Sequence, residues 1–366
     1  MTPLATPTRR SVASRAVVWT LIAAYPFVAD GRWLTSCIIA LILAVAALGL
    51  HLITGLTGML SLGHAFFFGI GAVVAAWLGG KSSTGFSTAD LWGLGLPVWI
   101  WLPLAGVVAG IAGLIVAPSA ARLDGLPLGI VTLGLVFLGT HLFATIELLS
   151  GGVNGRPVPS VEAFRHNIDD AFAAGPLTFD SDRQWYFLAL AVVVVAYRCV
   201  GNLERSRFGS ACTAIRDRNL TASVLGVPVQ RVKVSVFVVG CALAGIAGAL
   251  YGSFLGRIAG PEQFDLFLSL QFVVIIVIGG SGSRIGAVVG SIFVALLPVA
   301  IGQFSPSLPF LSVAGSPGLV TADLFAVLLY GATLIVALRY EPRGLSGLAN
   351  RMTTRARAWP LLPDAV

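Results

Sequence analysis

Long apolar stretches alternate with short polar segments along most of the chain. Several stretches approach the roughly 20 residues that an α-helix needs to cross the hydrocarbon core of a membrane. The pattern predicts an all-α, polytopic membrane protein with about ten transmembrane helices, at residues 16–29, 33–53, 56–78, 96–117, 126–149, 185–200, 232–254, 266–278, 285–301 and 322–338.

The composition supports the same class of protein. Hydrophobic residues make up 57% of the 366 residues and charged residues only 11%, whereas soluble domains have about 25% charged residues. No polar segment is long enough for a soluble domain. We therefore predict one membrane domain over residues 16–339, with its longest polar segments at 150–184 and 201–231.

The distribution of charge indicates how the chain is oriented. The net charge of +7 alone would fit a nucleic-acid-binding protein, but the basic residues lie at the ends of the apolar stretches. The positive-inside rule places the tail at residues 1–15, the segment 201–231 and the basic tail at residues 340–366 in the cytoplasm. The segment 150–184 contains five acidic residues and is predicted to be external. Ten helices connect these positions with both termini inside, and no nucleic-acid partner is expected.

The N-terminal stretch resembles a signal peptide, because basic residues precede an apolar run that ends near Ala29. No clear cleavage site precedes the second apolar stretch. We therefore expect an uncleaved first transmembrane helix.

Small residues recur at spacings that let helices pack closely. Such glycines are found at positions 106 and 110, at 248, 252 and 256, and at 282, 286 and 290. The sequence Ala-Gly-Ile-Ala-Gly is found at both 109–113 and 244–248. A tight helix bundle is the simpler interpretation, and two similarly built halves are the alternative.

Residues 207–228 form a basic segment that turn-forming residues interrupt. A first short helix is predicted near 210–216 and a second at 220–225, with Asn219 as its N-cap. Gly226 fits the left-handed position after the second helix, and Pro228 prevents its continuation. The pair either rests on anionic membrane lipid or docks a cytoplasmic partner that drives movement.

Two glycine-rich segments, at 55–71 and 279–286, are candidates for broken helices that line a solute path. Close helix packing at the same glycines is the alternative, and His64 is either a solute contact or a structural residue. The predicted path residues are Ser61, Gly63, His64, Gly279, Gly280 and Gly282.

The glycine-rich segment 279–283 does not bind nucleotide, because it lacks the Lys-Ser/Thr of a P-loop and lies between two apolar stretches. Few ionisable residues lie within the apolar stretches; His51, His141 and Glu147 are the other candidates. That scarcity argues against an ion-coupled secondary transporter. No nucleophile and base, and no metal cluster, point to an enzyme.

Residues 209–233 resemble the coupling-helix region of ATP-binding-cassette (ABC) importer permeases of the high-affinity branched-chain amino acid (Liv) type. The matching positions are Gly209, Ala211, Ala214, Ile215, Arg216, Asp217, Ala222, Leu225, Gly226, Arg231 and Lys233. Residues 55–72, 150–155, 242–251 and 278–287 are also similar to family segments. The external loop and the Ile-Arg-Asp sequence resemble the M-type subunit rather than the H-type subunit.

The resemblance implies a role for each matching segment. Contact with an ATPase is expected at Gly209, Ala214, Arg216, Asp217, Ala222 and Gly226, and the external loop motif comprises Gly151, Gly152, Asn154 and Gly155. Arg218, Asn219, Thr221 and Val73 depart from the family pattern.

The resemblance also implies partners in the bacterial inner membrane. These are an H-type permease, two cytoplasmic ATPases that use ATP, and an external solute-binding protein, with no cofactor in this chain. The expected solute is a branched-chain or related amino acid, and urea or a short amide is the alternative.

Overall fold

The computed structural model describes residues 22, 24–29, 31–83, 91–123, 125–146, 150–151, 155–158, 161–163, 166–167, 172–174, 177–258, 261–304, 311–312 and 320–340. Among these residues, six helices are long and apolar enough to cross a membrane, at Gly31–Leu56, Val98–Arg122, Leu126–Thr145, Ser181–Arg205, Val229–Leu255 and Arg284–Gln303. Two shorter apolar helices accompany them, at His64–Gly79 and Leu266–Gly279. The chain is thus a polytopic helical membrane protein, as predicted. Half of the first predicted helix, 16–29, lies outside the described residues, and residues 22 and 24–28 within it are helical.

We number the helices in chain order. They are α1 (Gly31–Leu50), α2 (His64–Gly79), α3 (Val98–Arg122), α4 (Leu126–Thr145), α5 (Ser181–Arg205), α6 (Arg207–Asp217), α7 (Asn219–Val224), α8 (Val229–Leu255), α9 (Leu266–Gly279), α10 (Arg284–Phe304) and α11 (Ala322–Tyr340). A π-helical segment, His51–Leu56, continues α1, and a 3-10 turn, Pro261–Phe264, precedes α9.

Short strands, which the all-α prediction omitted, form five two-stranded pairs between the helices in the part of the chain that the structure describes. They are β1 (Lys81–Ser83), β2 (Leu91–Leu94), β3 (Arg156–Pro157), β4 (Glu162–Ala163), β5 (His166–Asn167), β6 (Phe172–Ala174), β7 (Leu177–Phe179), β8 (Arg257–Ile258), β9 (Leu311–Ser312) and β10 (Val320–Thr321). The pairs β1–β2, β4–β5 and β6–β7 are antiparallel hairpins, and β9–β10 is parallel. The antiparallel pair β3–β8, with Arg156 opposite Ile258, fixes the start of the predicted external segment against the end of α8.

The core lies where α8 packs against α1, α2 and α3. The two Ala-Gly-Ile-Ala-Gly segments face each other there, since a β-carbon on Gly245 of α8 would clash with Ala109 of α3. A β-carbon on Gly106 would lie 2.7 Å from Ile246, and one on Gly248 would clash with the backbone of Phe68. These contacts confirm the prediction of close packing at small residues. The prediction of close packing is wrong for Gly256 and Gly282, because a β-carbon at either position would meet nothing within 4 Å.

The third predicted helix, 56–78, is not continuous. The π-helical segment ends at Leu56, residues 58–63 have no regular structure, and α2 begins only at His64. The eighth predicted helix, α9, has 14 residues and rises about 21 Å, which is less than the hydrocarbon thickness of about 30 Å. Interrupted backbone is therefore present at both glycine-rich segments.

Candidate coupling and translocation site

The predicted coupling segment is a pair of short helices, α6 and α7, between the long helices α5 and α8. Helix α6 spans Arg207–Asp217, so the prediction of 210–216 was too short at both ends. The Ser206 side chain caps it by accepting a hydrogen bond from the Gly209 amide at 3.4 Å. A β-carbon on Gly209 would clash with the Glu204 backbone, which explains a glycine here. Cys212 is fully buried, and burial raises the pKa of its thiol to about 11.

Helix α7 begins at Asn219 and ends at Val224. The prediction that Asn219 is the N-cap was wrong: Arg218 has that position, in extended backbone and without a side-chain cap. Gly226 adopts φ +85°, which confirms its predicted left-handed conformation. The Val227 amide then donates to the Ala222 carbonyl at 3.0 Å, and Ala222 is buried. Pro228 is the N-cap of α8.

Three large apolar side chains are exposed on and just after α7. Leu220, Val224 and Leu225 are 83%, 86% and 77% exposed, next to the exposed Asp217 and Arg218. Large exposed apolar side chains next to one another indicate a surface that either a protein partner or membrane lipid covers.

Arg216 points away from that apolar surface and towards the membrane domain. Its guanidinium donates a hydrogen bond to the carbonyl of Gly55, in the π-helical segment. A β-carbon on Gly58 would lie 3.4 Å from Cγ of Arg216, so the aliphatic part of the side chain packs there. Arg216 therefore connects α6 directly to the first broken helix.

An ionic cluster adjoins this contact. Glu204, near the end of α5, accepts a hydrogen bond from His51 Nε2 at 2.8 Å and pairs with Arg284 Nε at 3.1 Å. His51 Nδ1 lies 3.1 Å from the carbonyl of Ser281. Each ring nitrogen of His51 therefore lies next to an oxygen acceptor, one on Glu204 and one on Ser281. The Arg284 guanidinium also stacks 4.8 Å above the Tyr197 ring.

The cluster joins three separate segments: the π-helical turn, the end of α5 and the α9–α10 connection. In the sequence, His51 stands out only as one of few ionisable residues within apolar stretches, and nothing singles out Glu204 or Arg284 as site residues. Their partners lie far apart in the chain, so no local pattern indicated the cluster. The only signal for this cluster in the sequence is that Glu204 and Arg284 are charged residues at the ends of apolar stretches.

The first break brings the predicted path residues Ser61, Gly63 and His64 into the core. Ser61 is 2% exposed, and its hydroxyl has no hydrogen-bond partner among the described residues. A β-carbon on Gly63 would lie 2.7 Å from the Thr132 carbonyl of α4. His64 Nε2 lies 2.9 Å from the Ala46 carbonyl, and the ring packs edge-on against Phe272. These contacts fit the structural interpretation of His64; a solute contact stays a prediction.

The second break contains Gly279, Gly280 and Gly282. A β-carbon on Gly279 would clash with the Gly286 backbone, so Gly279 serves the packing of α9 on α10. Gly280 ends α9 with φ +101°. Gly282 has open space where a side chain would be, and its place on a solute path stays a prediction.

The second break contacts the π-helical segment that leads into the first break. The contact is at Gly55, where a β-carbon would clash with the Ser281 carbonyl. His64, in contrast, contacts α1 and α9 residues further into the bundle.

The predicted external motif is described only in part. Gly151 and Gly155 lie against each other, since a β-carbon on Gly151 would clash with the Gly155 backbone. Gly152 and Asn154 lie outside the described residues. The adjacent Arg156 is 2% exposed, and its guanidinium stacks 4.8 Å above the Trp77 ring. Burial lowers the pKa of the Arg156 guanidinium from its ordinary value.

Long apolar helices, two interrupted helices and an exposed helix pair are the features of a multi-pass membrane permease. The chain belongs to the family of branched-chain amino acid transport system permease components, whose profile matches residues 33–338. It is a protein of the bacterial inner membrane and of a transport family, not of an enzyme class.

Curated relatives agree with this family. The high-affinity branched-chain amino acid transport system permease protein LivM of Escherichia coli is 28% identical over 338 residues, which cover 89% of this chain and 72% of LivM. LivH of Escherichia coli is 33% identical over 110 residues, which cover 30% of this chain and 33% of LivH. The fructose import permease protein FruG of Bifidobacterium longum is 23% identical over 73% of this chain and 81% of FruG. No solved structure matches the chain.

Proposed function

We propose that this chain is the M-type permease subunit of an ABC importer for branched-chain or related amino acids. It lines the path together with an H-type permease, while two cytoplasmic ATPases hydrolyse ATP and an external protein delivers the solute. The observation that carries the proposal is the exposed helix pair α6–α7, which Arg216 connects to the first broken helix. Similarity to LivM over most of the chain supports the choice of subunit and solute.

The proposed orientation has ten transmembrane helices and both termini in the cytoplasm. Two observations support it. The pair β3–β8 puts the start of segment 150–184 at the C-terminal end of α8, whereas α6 and α7 precede its N-terminal end. The 27 residues of α8 span about 40 Å, so the two segments lie on opposite sides of the membrane.

The proposed mechanism follows the contacts of α6. When the ATPases close, they press on the apolar surface of Leu220, Val224 and Leu225. Arg216 passes the displacement to Gly55 and Gly58, where the first break begins. The second break follows, because Gly55 touches Ser281. The helices around both breaks then open the path to one side of the membrane or the other.

The experiment separates docking from coupling by using two variants in the reconstituted complex. Leu220→Asp puts a charge on the outer surface and is expected to release the ATPases. The double variant Arg216→Ala/Asp217→Ala is expected to retain the ATPases but hydrolyse ATP without uptake, because the contact with Gly55 is lost. Leu94→Asp, an exposed leucine of β2 on the opposite side, is the matched control and is expected to leave both properties unchanged.

Unchanged uptake in the double variant would contradict the proposed mechanism. Full uptake by this chain alone in vesicles, abolished by an ionophore, would instead establish an ion-coupled secondary transporter.

A different solute is the second candidate, because a fructose permease is also similar over most of the chain. Urea and short amides are further alternatives within this type of importer. Uptake of labelled leucine, urea and fructose, each with a candidate binding protein, separates these solutes. Uptake of fructose or urea without leucine would contradict the amino acid assignment.

A further inference from the structure

A groove of about 1160 Å³ runs along the side of the helix bundle and reaches Arg284 at one end. Its walls are side chains of α1, α5 and α10, and they are apolar over most of their length. Leu41, Val193, Val289 and Ile292 are representative. A groove of this size and character at the lipid-facing surface accommodates hydrocarbon chains.

One end of the groove is strongly basic. Arg198, Arg205 and Arg284 line it together with Asn202, and every charged side chain among the described lining residues is an arginine. Arg284 is held in place by Glu204 and by the Tyr197 ring. Arg198 and Arg205 are exposed and carry charge towards the opening. Glu204 pairs with Arg284 alone among these three arginines, so this end of the groove, as far as the structure describes it, has an excess of positive charge.

The basic and apolar parts are spaced as in a lipid. From Arg205 back to Val193, α5 rises about 18 Å, slightly more than one leaflet of hydrocarbon. An occupant with an anionic head and long apolar chains satisfies both parts at once. A purely apolar molecule would leave the arginines without an anion, and a small anion would leave the walls uncovered.

We propose that this groove binds an anionic phospholipid, with its phosphate at Arg198 and Arg205 and its acyl chains along α5 and α10. In the orientation proposed above, the lipid comes from the cytoplasmic leaflet, whose anionic lipids attract basic side chains. Arg284 belongs to both the groove and the ionic cluster, so the lipid lies beside the connection between α5 and α10.

Native mass spectrometry of the full chain, purified with its associated subunits, tests the charged end. The protein is titrated with phosphatidylglycerol and with zwitterionic phosphatidylcholine. Wild type is expected to prefer phosphatidylglycerol. The variant Arg198→Gln/Arg205→Gln is expected to bind it roughly 25-fold more weakly, because each basic side chain near a membrane surface contributes a factor of about five. The matched control, Arg122→Gln/Arg231→Gln, removes two exposed arginines outside the groove and is expected to bind as wild type does.

A second pair of variants tests the apolar walls without altering charge. Val289→Trp fills the groove and is expected to reduce phosphatidylglycerol binding, whereas Val239→Trp, at a similarly exposed valine of α8, is not. Equal binding of the two lipids by wild type, or equal losses in the groove and control variants, would overturn the proposal. So would a cross-link from a cysteine at position 289 to another protein subunit, since a polypeptide would then occupy the groove.

Discussion

At the scale of single residues, Glu204 has the most connections in the described cluster. Its carboxylate accepts from His51 and pairs with Arg284, and its side chain is only 20% exposed. His51 in turn contacts the Ser281 carbonyl in the second break. The Glu204 carboxylate therefore links α5, through His51, to the segments around both breaks. Partly buried ion pairs of this kind matter mainly because removal of one partner leaves the others uncompensated.

We therefore expect Glu204→Gln to lower the stability of the protein by roughly 1–3 kcal/mol, since the amide retains one acceptor but leaves Arg284 and His51 without a carboxylate. The measurement is thermal unfolding of the purified protein in detergent. Asp217→Asn, at an exposed carboxylate on α6, is the control, and its stability should stay within about 0.5 kcal/mol of wild type. Equal unfolding temperatures for the two variants would show that the cluster does not stabilise the fold.

At the scale of elements, the contact between α3 and α8 depends on glycines whose neighbours differ. A β-carbon on Gly245 would clash with Ala109 and would lie 2.8 Å from the Ala105 carbonyl. A β-carbon on Gly110, in the same interface, would lie 3.4 Å from Ala242, which is an ordinary contact. The two glycines look alike in the sequence, and only the packing distinguishes them.

Gly245→Ala is expected to destabilise the protein by about 1–3 kcal/mol, because the helices must separate to admit the methyl group. Gly110→Ala is expected to be neutral or slightly stabilising, because alanine favours the helix and the space exists. Thermal unfolding and the yield of folded protein from membranes measure both effects. A larger loss for Gly110→Ala than for Gly245→Ala would refute this description of the interface.

The helix breaks show what hydropathy predicts and what it misses. The apolar run at 56–78 was correctly predicted to lie within the membrane domain, but its first third is π-helical and then irregular. An apolar side chain has the same hydropathy in a helix as in extended backbone, so the run alone did not locate the break at 58–63. The glycines did indicate it, since 55–71 was predicted as a candidate broken helix.

At the scale of the whole molecule, Arg216 connects the surface proposed to meet the ATPases with the interior of the bundle. Its contacts with Gly55 and Gly58 bridge the coupling segment and the first break. The proposed transport cycle requires these parts to move together. A cross-link that replaces the contacts of Arg216 tests whether they do.

The double variant Gly58→Cys/Arg216→Cys is expected to form a disulfide, because a β-carbon at position 58 would lie 3.9 Å from Cβ of Arg216, close to the separation in disulfides. In a background without the native cysteines, the reduced variant is expected to lack uptake, because it lacks Arg216, and oxidation is expected to restore uptake, since the disulfide replaces the lost connection. Each single-cysteine variant is the control and should not respond to oxidant. Absence of uptake in the oxidised, cross-linked protein would contradict the proposal that α6 and the first break move as one unit.

The sequence by itself determined that the chain is a helical membrane permease, which family it resembles and where the coupling segment lies. Hydropathy, turn residues and short motifs are local properties, so they can be recognised without a fold. Only the tertiary structure decided that Arg216 faces Gly55, that Glu204 joins His51 and Arg284, and that Gly245 meets Ala109. The partners His51 and Glu204 are 153 positions apart, and Arg216 and Gly55 are 161 apart. Such pairs exist only once the helices have packed, because packing alone brings distant positions within bonding distance.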